Sequence, residues 1–128
     1  MDNTANSINW FEIPVADMER AKKFYEALFD MKMQTIEMLG NIESFFPNSQ
    51  NMEGKVSGAL VKGPNHKPSS EGVLIYLNAN PDIQIIIDRI EPNGGRLLMP
   101  RTLITEDIGC MAIFMDSEGN RVALHAAK

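Results

Sequence analysis

Cysteine is almost missing from this chain. A lone Cys110 in 128 residues excludes an intrachain disulfide and any cysteine-rich zinc site. With no activating base or cation suggested near it, Cys110 reads as a small buried hydrophobe. No apolar run approaches the ~20 residues needed to cross a bilayer. The opening residues, from Met1 to Ile8, lack the charged-then-apolar pattern of a secretory signal, so a cytoplasmic location and no membrane partner are expected. Basic residues are also short: 12 Lys and Arg face 17 Asp and Glu, a net charge of -5. That balance argues against nucleic acid as a partner, because phosphate affinity comes from clustered cations. The one basic doublet, Lys22-Lys23, falls on the solvated side of an expected helix.

What remains is ordinary globular material, 44% hydrophobic and 23% charged, enough for one domain spanning residues 1–128. The pattern along it occurs twice. Ile8 to Val15 is strand-like. Asp17 is then placed to cap a helix whose buried stripe is Met18, Ala21, Phe24, Tyr25 and Leu28. Three further strands are expected at Met31–Glu37, Ile42–Phe46 and Lys55–Val61. After the Pro- and Ser-rich connector from Lys62 to Gly72 the order resumes. Val73–Ala79 is a strand, and Pro81-Asp82 opens a helix with Ile83, Ile86, Ile87 and Ile90 inward. Strands are expected at Arg96–Met99, Cys110–Met115 and Arg121–Ala126. Sliding the first unit forward by about 64 residues sets Trp10 on Leu74, Ile13 on Leu77, Val15 on Ala79 and Asp30 on Gly94. Identity between the halves is negligible, so the repeat is one of order. The expected fold is α+β, with two βαβββ modules at about 8–62 and 72–126.

Three stretches carry a resemblance. Phe11 to Met33 (FEIPVADMERAKKFYEALFDMKM), Gly94 to Pro100 (GGRLLMP) and Phe114 to Ala126 (FMDSEGNRVALHA) are together similar to the vicinal-oxygen-chelate superfamily, which holds glyoxalases, bleomycin resistance proteins and dioxygenases. The resemblance implies paired βαβββ modules whose curved sheets enclose a cavity. It also implies a homodimer, because small relatives complete that cavity across a two-fold axis. Metal-using members place His, Glu or Gln at four inward positions. Here those positions correspond to Trp10, a site at or beside Leu74, a site near Ser57 to Leu60, and Ala123 before Leu124. None offers an imidazole or carboxylate, so no metal and no other cofactor is expected.

The remaining candidates are Glu12 and His125, which alternation puts on the same strand faces as Trp10 and Ala123. If both faces line one cavity, they form a general acid/base or anchoring pair. Otherwise Glu12 meets a backbone donor or buried water, and His125 frays with the C-terminus. Trp10, Tyr76, Asn78, Met111 and Ala123 are the expected lining for a small-molecule ligand, although the aromatics serve equally as core. His66 reads as a solvated residue of the connector. Pro100 to Gly109 reads as a long loop, able to close over a ligand or to lie passively. Two functions follow: a metal-independent small-molecule enzyme using Glu12, or a non-catalytic protein that binds and sequesters a small molecule.

Overall fold

The computed structural model describes residues 1–48 and 55–128. Its elements run in the expected order. The first unit comprises β1 (Trp10–Pro14), α1 (Met18–Phe29), β2 (Gln34–Met38), β3 (Asn41–Phe45) and β4 (Ser57–Lys62). The second comprises β5 (Tyr76–Asn78), α2 (Ile83–Ile87), a single 3-10 turn (Glu91–Asn93), β6 (Arg96–Thr105), β7 (Gly109–Met115) and β8 (Arg121–Ala126). Each unit forms its own four-stranded sheet, ordered β1-β4-β3-β2 and β5-β8-β7-β6. In each, the first strand runs parallel to the last and the others are antiparallel. The parallel pair needs a crossover, and α1 or α2 supplies it.

Local chemistry explains the boundaries. Asp17 accepts from the backbone N–H of Arg20 and starts α1, and Asp30 ends it at φ 49°. Asp82 starts α2 by accepting from Gln84 N. Pro81 thus precedes the cap and lies outside the helix. Gly94, at φ 99°, closes the 3-10 turn as Asp30 closes α1, so the two positions matched by the repeat share a left-handed conformation.

Core packing joins the two units. One cluster takes Ile13, Val15 and Leu60 from the first sheet and Leu77, Ala112, Phe114 and Leu124 from the second, with the buried stripes of both helices. Phe24 of α1 meets Tyr25 edge to face and reaches Phe114 of β7, with ring centroids 5.0 and 6.1 Å apart. The helix-facing side of each sheet is therefore buried. The other side carries Trp10, Glu12 and Ile36 on sheet one, and Tyr76, Asn78 and Met99 on sheet two, all exposed. Cys110 is buried, as expected. Among the described residues no helix is long and apolar enough to cross a membrane.

β5 and α2 are shorter than expected: β5 is Tyr76–Asn78 instead of Val73–Ala79, and α2 ends at Ile87, before Ile90. One expected element changes character. The Pro100–Gly109 loop is instead mostly strand. β6 runs on to Thr105 and pairs with β7 as far as Thr105↔Gly109, with register shifts along the way. Pro100 and the polar residues suggested a loop. Pro is tolerated because β6 is the outer strand, where the ladder can do without its missing N–H, and the bulges absorb the irregularity.

Candidate functional site

Alternation along β1 sends Phe11 and Ile13 toward the helices and Trp10, Glu12 and Pro14 to the outer face. The register carries that face across the sheet. Glu12 lies opposite Ala59 of β4, and Ala59 opposite Phe45 of β3; the next row is Pro14, Val61 and Glu43. Trp10, Glu12, Glu43 and Phe45 therefore share one surface. Trp10 and Phe45 meet edge to face, with centroids 5.8 Å apart and planes at 62°. Close approach of β1 to β4 depends on Gly58, since a Cβ there would strike the Phe11 carbonyl and ring.

The connector returns over this face. Gly63 pairs with His66 in an isolated bridge, and His66 Nε2 lies 2.8 Å from Glu12 Oε1. With a carboxylate as acceptor, Nε2 must carry the proton, which leaves Nδ1 as an acceptor in the neutral ring. The His66 side chain is 20% exposed and that of Glu12 39%. His66 is thus not the solvated residue expected; it is fixed against Glu12 from 54 positions away in sequence. Nothing in a Pro-rich connector signals such a contact.

Glu43 is the second residue that sequence reasoning passed over. It is 2% exposed, and its Oε1 is buried without a hydrogen-bond partner, as is His66 Nδ1. Burial, and then repulsion from Glu12, hold the Glu43 carboxyl above the ordinary glutamate value, while His66 pulls it back in part. The signal was available: Glu43 is a charge inside the apolar strand Ile42–Phe46, the same anomaly that drew attention to Glu12.

The second sheet receives the other candidates. Tyr76 lies opposite Ala123, and Asn78 opposite His125. Met111 pairs with His125 from the other side. Tyr76 and Asn78 are exposed, Met111 and His125 half-buried, and Ala123 fully buried. Asn78 spends its carbonyl on the backbone and side-chain amides of Asn80. His125 does not fray, since its Nε2 donates to Ile108 O at 2.7 Å. Glu12 and His125 thus belong to different sheets, and each has a partner of its own.

The positions that the resemblance assigns to a metal do not suit one. Trp10 and Ala123 lie on the outer faces, Leu74 precedes β5, and Ser57 and Ala59 are the outward residues of β4 within the fourth stretch. Indole, methyl and isobutyl groups give a divalent ion no lone pair, and the one hydroxyl, of Ser57, donates to Phe46 O. Among the described residues, no three His, Cys, Asp or Glu side chains are grouped so as to hold one.

A third set of polar residues, at the β7–β8 turn, serves the junction between units. Asp116 accepts from Tyr25 OH at 2.7 Å, from the backbone N–H groups of Glu118 and Asn120, and from Asn120 Nδ2. Asn120 Nδ2 also donates to Pro14 O. Glu118 accepts from Ala16 N, Asp17 N and Arg20, so a carboxylate of unit two caps the helix of unit one. Burial pushes Glu118 upward, but hydrogen bonds from Arg20, Asp17, Ala16 and Ser117 outweigh it and leave its pKa below the ordinary 4.5.

Residues 7–124 match the profile described as the Glyoxalase/Bleomycin resistance protein/Dioxygenase superfamily. A glyoxylase-like domain-containing protein of Didymella fabae is 32% identical over 130 residues, covering 91% of each chain. CFP32 of Mycobacterium tuberculosis, whose name marks it as a candidate glyoxylase, is 29% identical over 122 residues. That match takes in 93% of this chain but 45% of CFP32, so the chain spans about half the length of that relative. Among solved structures, the antibiotic binding protein TnmS3 of Streptomyces sp. CB03234 superposes with a TM-score of 0.67 at 20% identity, over 99% of this chain and all of its own.

Proposed function

This chain belongs to the Glyoxalase/Bleomycin resistance protein/Dioxygenase superfamily, and from that premise we propose that it is a small-molecule enzyme whose general base is Glu12, working without the divalent ion used by other members. The observation that carries this reading is the 2.8 Å contact between Glu12 and His66 on an open sheet face. The imidazole N–H fixes one carboxylate oxygen and orients the group. The other oxygen is left to take a proton from a ligand resting on Trp10. A positioned base of this kind contributes roughly 10²–10⁴ in rate. The residues that the resemblance sets at the usual ligand positions supply no imidazole or carboxylate, and in this reading the chemistry falls to the side chains beside them.

The ligand cavity in this reading is completed by a second copy. The outer faces of the two sheets hold exposed apolar residues, Trp10 and Ile36 on one and Tyr76 and Met99 on the other. β1 and β5 each have one unpaired edge. A groove of about 660 Å³ runs between them, lined by Phe11, Phe29, Met31, Phe46 and Ile75 among others. A homodimer that sets sheet two of one protomer against sheet one of its partner would cover these surfaces through an isologous interface. It would also bring His125, Met111 and Asn78 toward Glu12. Light scattering should then give about twice the chain mass.

A second reading, binding without turnover, is favoured by the aromatic shelf itself: Trp10 is 38% and Tyr76 51% exposed. One assay separates the two. The glyoxylase names of the relatives suggest α-oxoaldehydes and their thiol adducts as a panel, tested with excess chelator. The expected result is turnover that survives chelation and falls about 100-fold or more in Glu12→Gln. Activity lost to chelator and restored by a metal would overturn the metal-free mechanism. Saturable binding without conversion would establish sequestration instead.

A further inference from the structure

We propose that Glu43 and His66, with the Glu12 carboxylate beside them, form a binding site for the ammonium group of a small amine whose apolar body lies against Trp10 and Phe45. The proposal rests on the reading of Glu12 as ligand-facing and names the class of ligand. Its starting point is a pair of unsatisfied atoms. Glu43 Oε1 and His66 Nδ1 are both buried and both without a hydrogen-bond partner, although native folds leave few such groups. Once His66 Nε2 has donated to Glu12, the neutral ring offers only a lone pair at Nδ1. Two partnerless acceptors, whose residues interact electrostatically, are the kind of lining that a group with several N–H donors would satisfy.

Charge narrows the choice. Two carboxylates face one imidazole, and Glu43 feels both Glu12 and His66. A neutral hydroxyl would satisfy hydrogen bonds but leave the repulsion between carboxylates. An ammonium group satisfies both requirements, with three N–H donors and a positive charge. Lys67 and Arg121 line the adjoining groove at the edge of β1 together with Glu12. Among the described residues no ion pair joins either of them to Glu12 or Glu43, so the site is not neutralised from that side. Trp10 and Phe45 lie on the same face, two rows or fewer from Glu43, where an aromatic edge-to-face pair offers apolar area and a ring quadrupole that attracts cations.

Trp10 is the only tryptophan in the chain, so its fluorescence reports on this face alone. Benzylamine is the probe, with benzyl alcohol and benzoate as controls of the same shape. Benzylamine should change Trp10 emission saturably, and the two controls should bind about ten-fold more weakly or worse, as expected for loss of a charge-assisted hydrogen bond. Glu43→Gln should weaken benzylamine by a similar factor with its far-UV circular dichroism unchanged. Equal affinity for the alcohol, or benzylamine affinity untouched in Glu43→Gln, would overturn the proposal. Should that variant not fold, His66→Asn takes its place in the same titration, and unchanged affinity there overturns it equally. The two readings fail separately. Turnover that depends on Glu12 alongside amine affinity indifferent to Glu43 removes only this site. Amine binding that requires Glu43 in a protein without turnover removes only the enzymatic role.

Discussion

Carboxylates gather at two places in this molecule, and the fold treats them in opposite ways. At the β7–β8 turn, Asp116 and Glu118 are surrounded by donors: Tyr25 OH, four backbone N–H groups, Asn120 Nδ2 and the Arg20 guanidinium. The Glu118 side chain is fully buried and still held below the ordinary glutamate pKa. On the outer face of sheet one, Glu12 has a single partner, and Glu43 has a buried oxygen with none and a raised pKa. Structure-making carboxylates are saturated with donors, because an unmet buried acceptor costs more than a hydrogen bond returns. The unsaturated carboxylate of Glu43 is the one the proposed ligand would supply with a donor. The contrast also separates what the family motif does from what the site does. The turn Asp116 to Asn120 (DSEGN), part of the stretch that carries the resemblance, belongs to the junction between the two units, and the residues proposed to meet a ligand lie outside it.

The largest effect that would break this comparison is at Asp116. Asp116→Ala removes the acceptor of four hydrogen bonds, among them those from buried Tyr25 OH and Asn120 N. Leaving buried donors unmet costs about 1–3 kcal/mol for each group not rescued by water. We expect a loss of at least ~3 kcal/mol in urea unfolding. A loss below ~1 kcal/mol would show that the turn is not the clamp between units that its geometry describes.

Next in size is the acid limb of stability. The folded pKa of Glu118 lies below the unfolded 4.5. Its stabilisation is therefore fully present above that value and lost as pH falls through the folded one. Wild type should lose stability progressively below about pH 4.5, and Glu118→Gln, already weakened, should lose less over the same range. Parallel melting curves for the two proteins between pH 5 and pH 3 would remove Glu118 as an acid-sensitive latch.

How far sequence alone reached follows the same division. Both helices, their stripes, the Asp17 cap and eight strands were legible because periodicity and an Asp cap are local signals, whereas Pro81 was set at the start of α2 and the cap is Asp82. Glu12 and Trp10 were legible as neighbours on one face because alternation is local too. The Glu12–His66 contact was not, since it depends on how a Pro-rich connector folds back across 54 residues. The positions assigned to a metal were read as lacking imidazole and carboxylate from side-chain chemistry alone, and the strand register shows only that Ser57 and Ala59 face outward in the fourth stretch. β6 was read too short because Pro100 looked like an end, whereas an outer strand accommodates it. Tyr76 and His125 could be placed on a face but not near Glu12, because no pattern within one unit says which surface it meets in the other.

Glu43 tests the comparison with reversed sign. Burial and then Glu12 raise its pKa above 4.5, so the stability tied to its protonated form is present below that pH and lost as pH rises through the folded value. Glu43→Gln removes the charge at nearly constant volume. At pH 7 its melting temperature should equal or exceed that of wild type, and the advantage should vanish toward pH 4. A lower melting temperature at pH 7 would mean that Glu43 has a structural donor after all and belongs with Asp116.

The smallest expected change in stability is at Glu12, and its smallness is the point. The Glu12–His66 pair is partly exposed, at 39% and 20% of the respective side chains, and solvent-accessible pairs contribute about 0–1 kcal/mol. Glu12→Gln keeps the shape and still lets the amide oxygen accept from His66 Nε2. The cost should therefore stay within ~1 kcal/mol by thermal or urea unfolding near pH 7, since neither partner is left buried and unpaired. Function should respond on a different scale, because a glutamine has no basicity with which to take a proton. Two measurements on one variant then decide what Glu12 is for: a melt near that of wild type with turnover or ligand affinity reduced assigns it to the ligand. A loss of ~2 kcal/mol or more in Glu12→Gln would instead make the His66 contact part of the scaffold. It would place Glu12 with the saturated carboxylates of the β7–β8 turn and leave the outer face of sheet one without its leading functional residue.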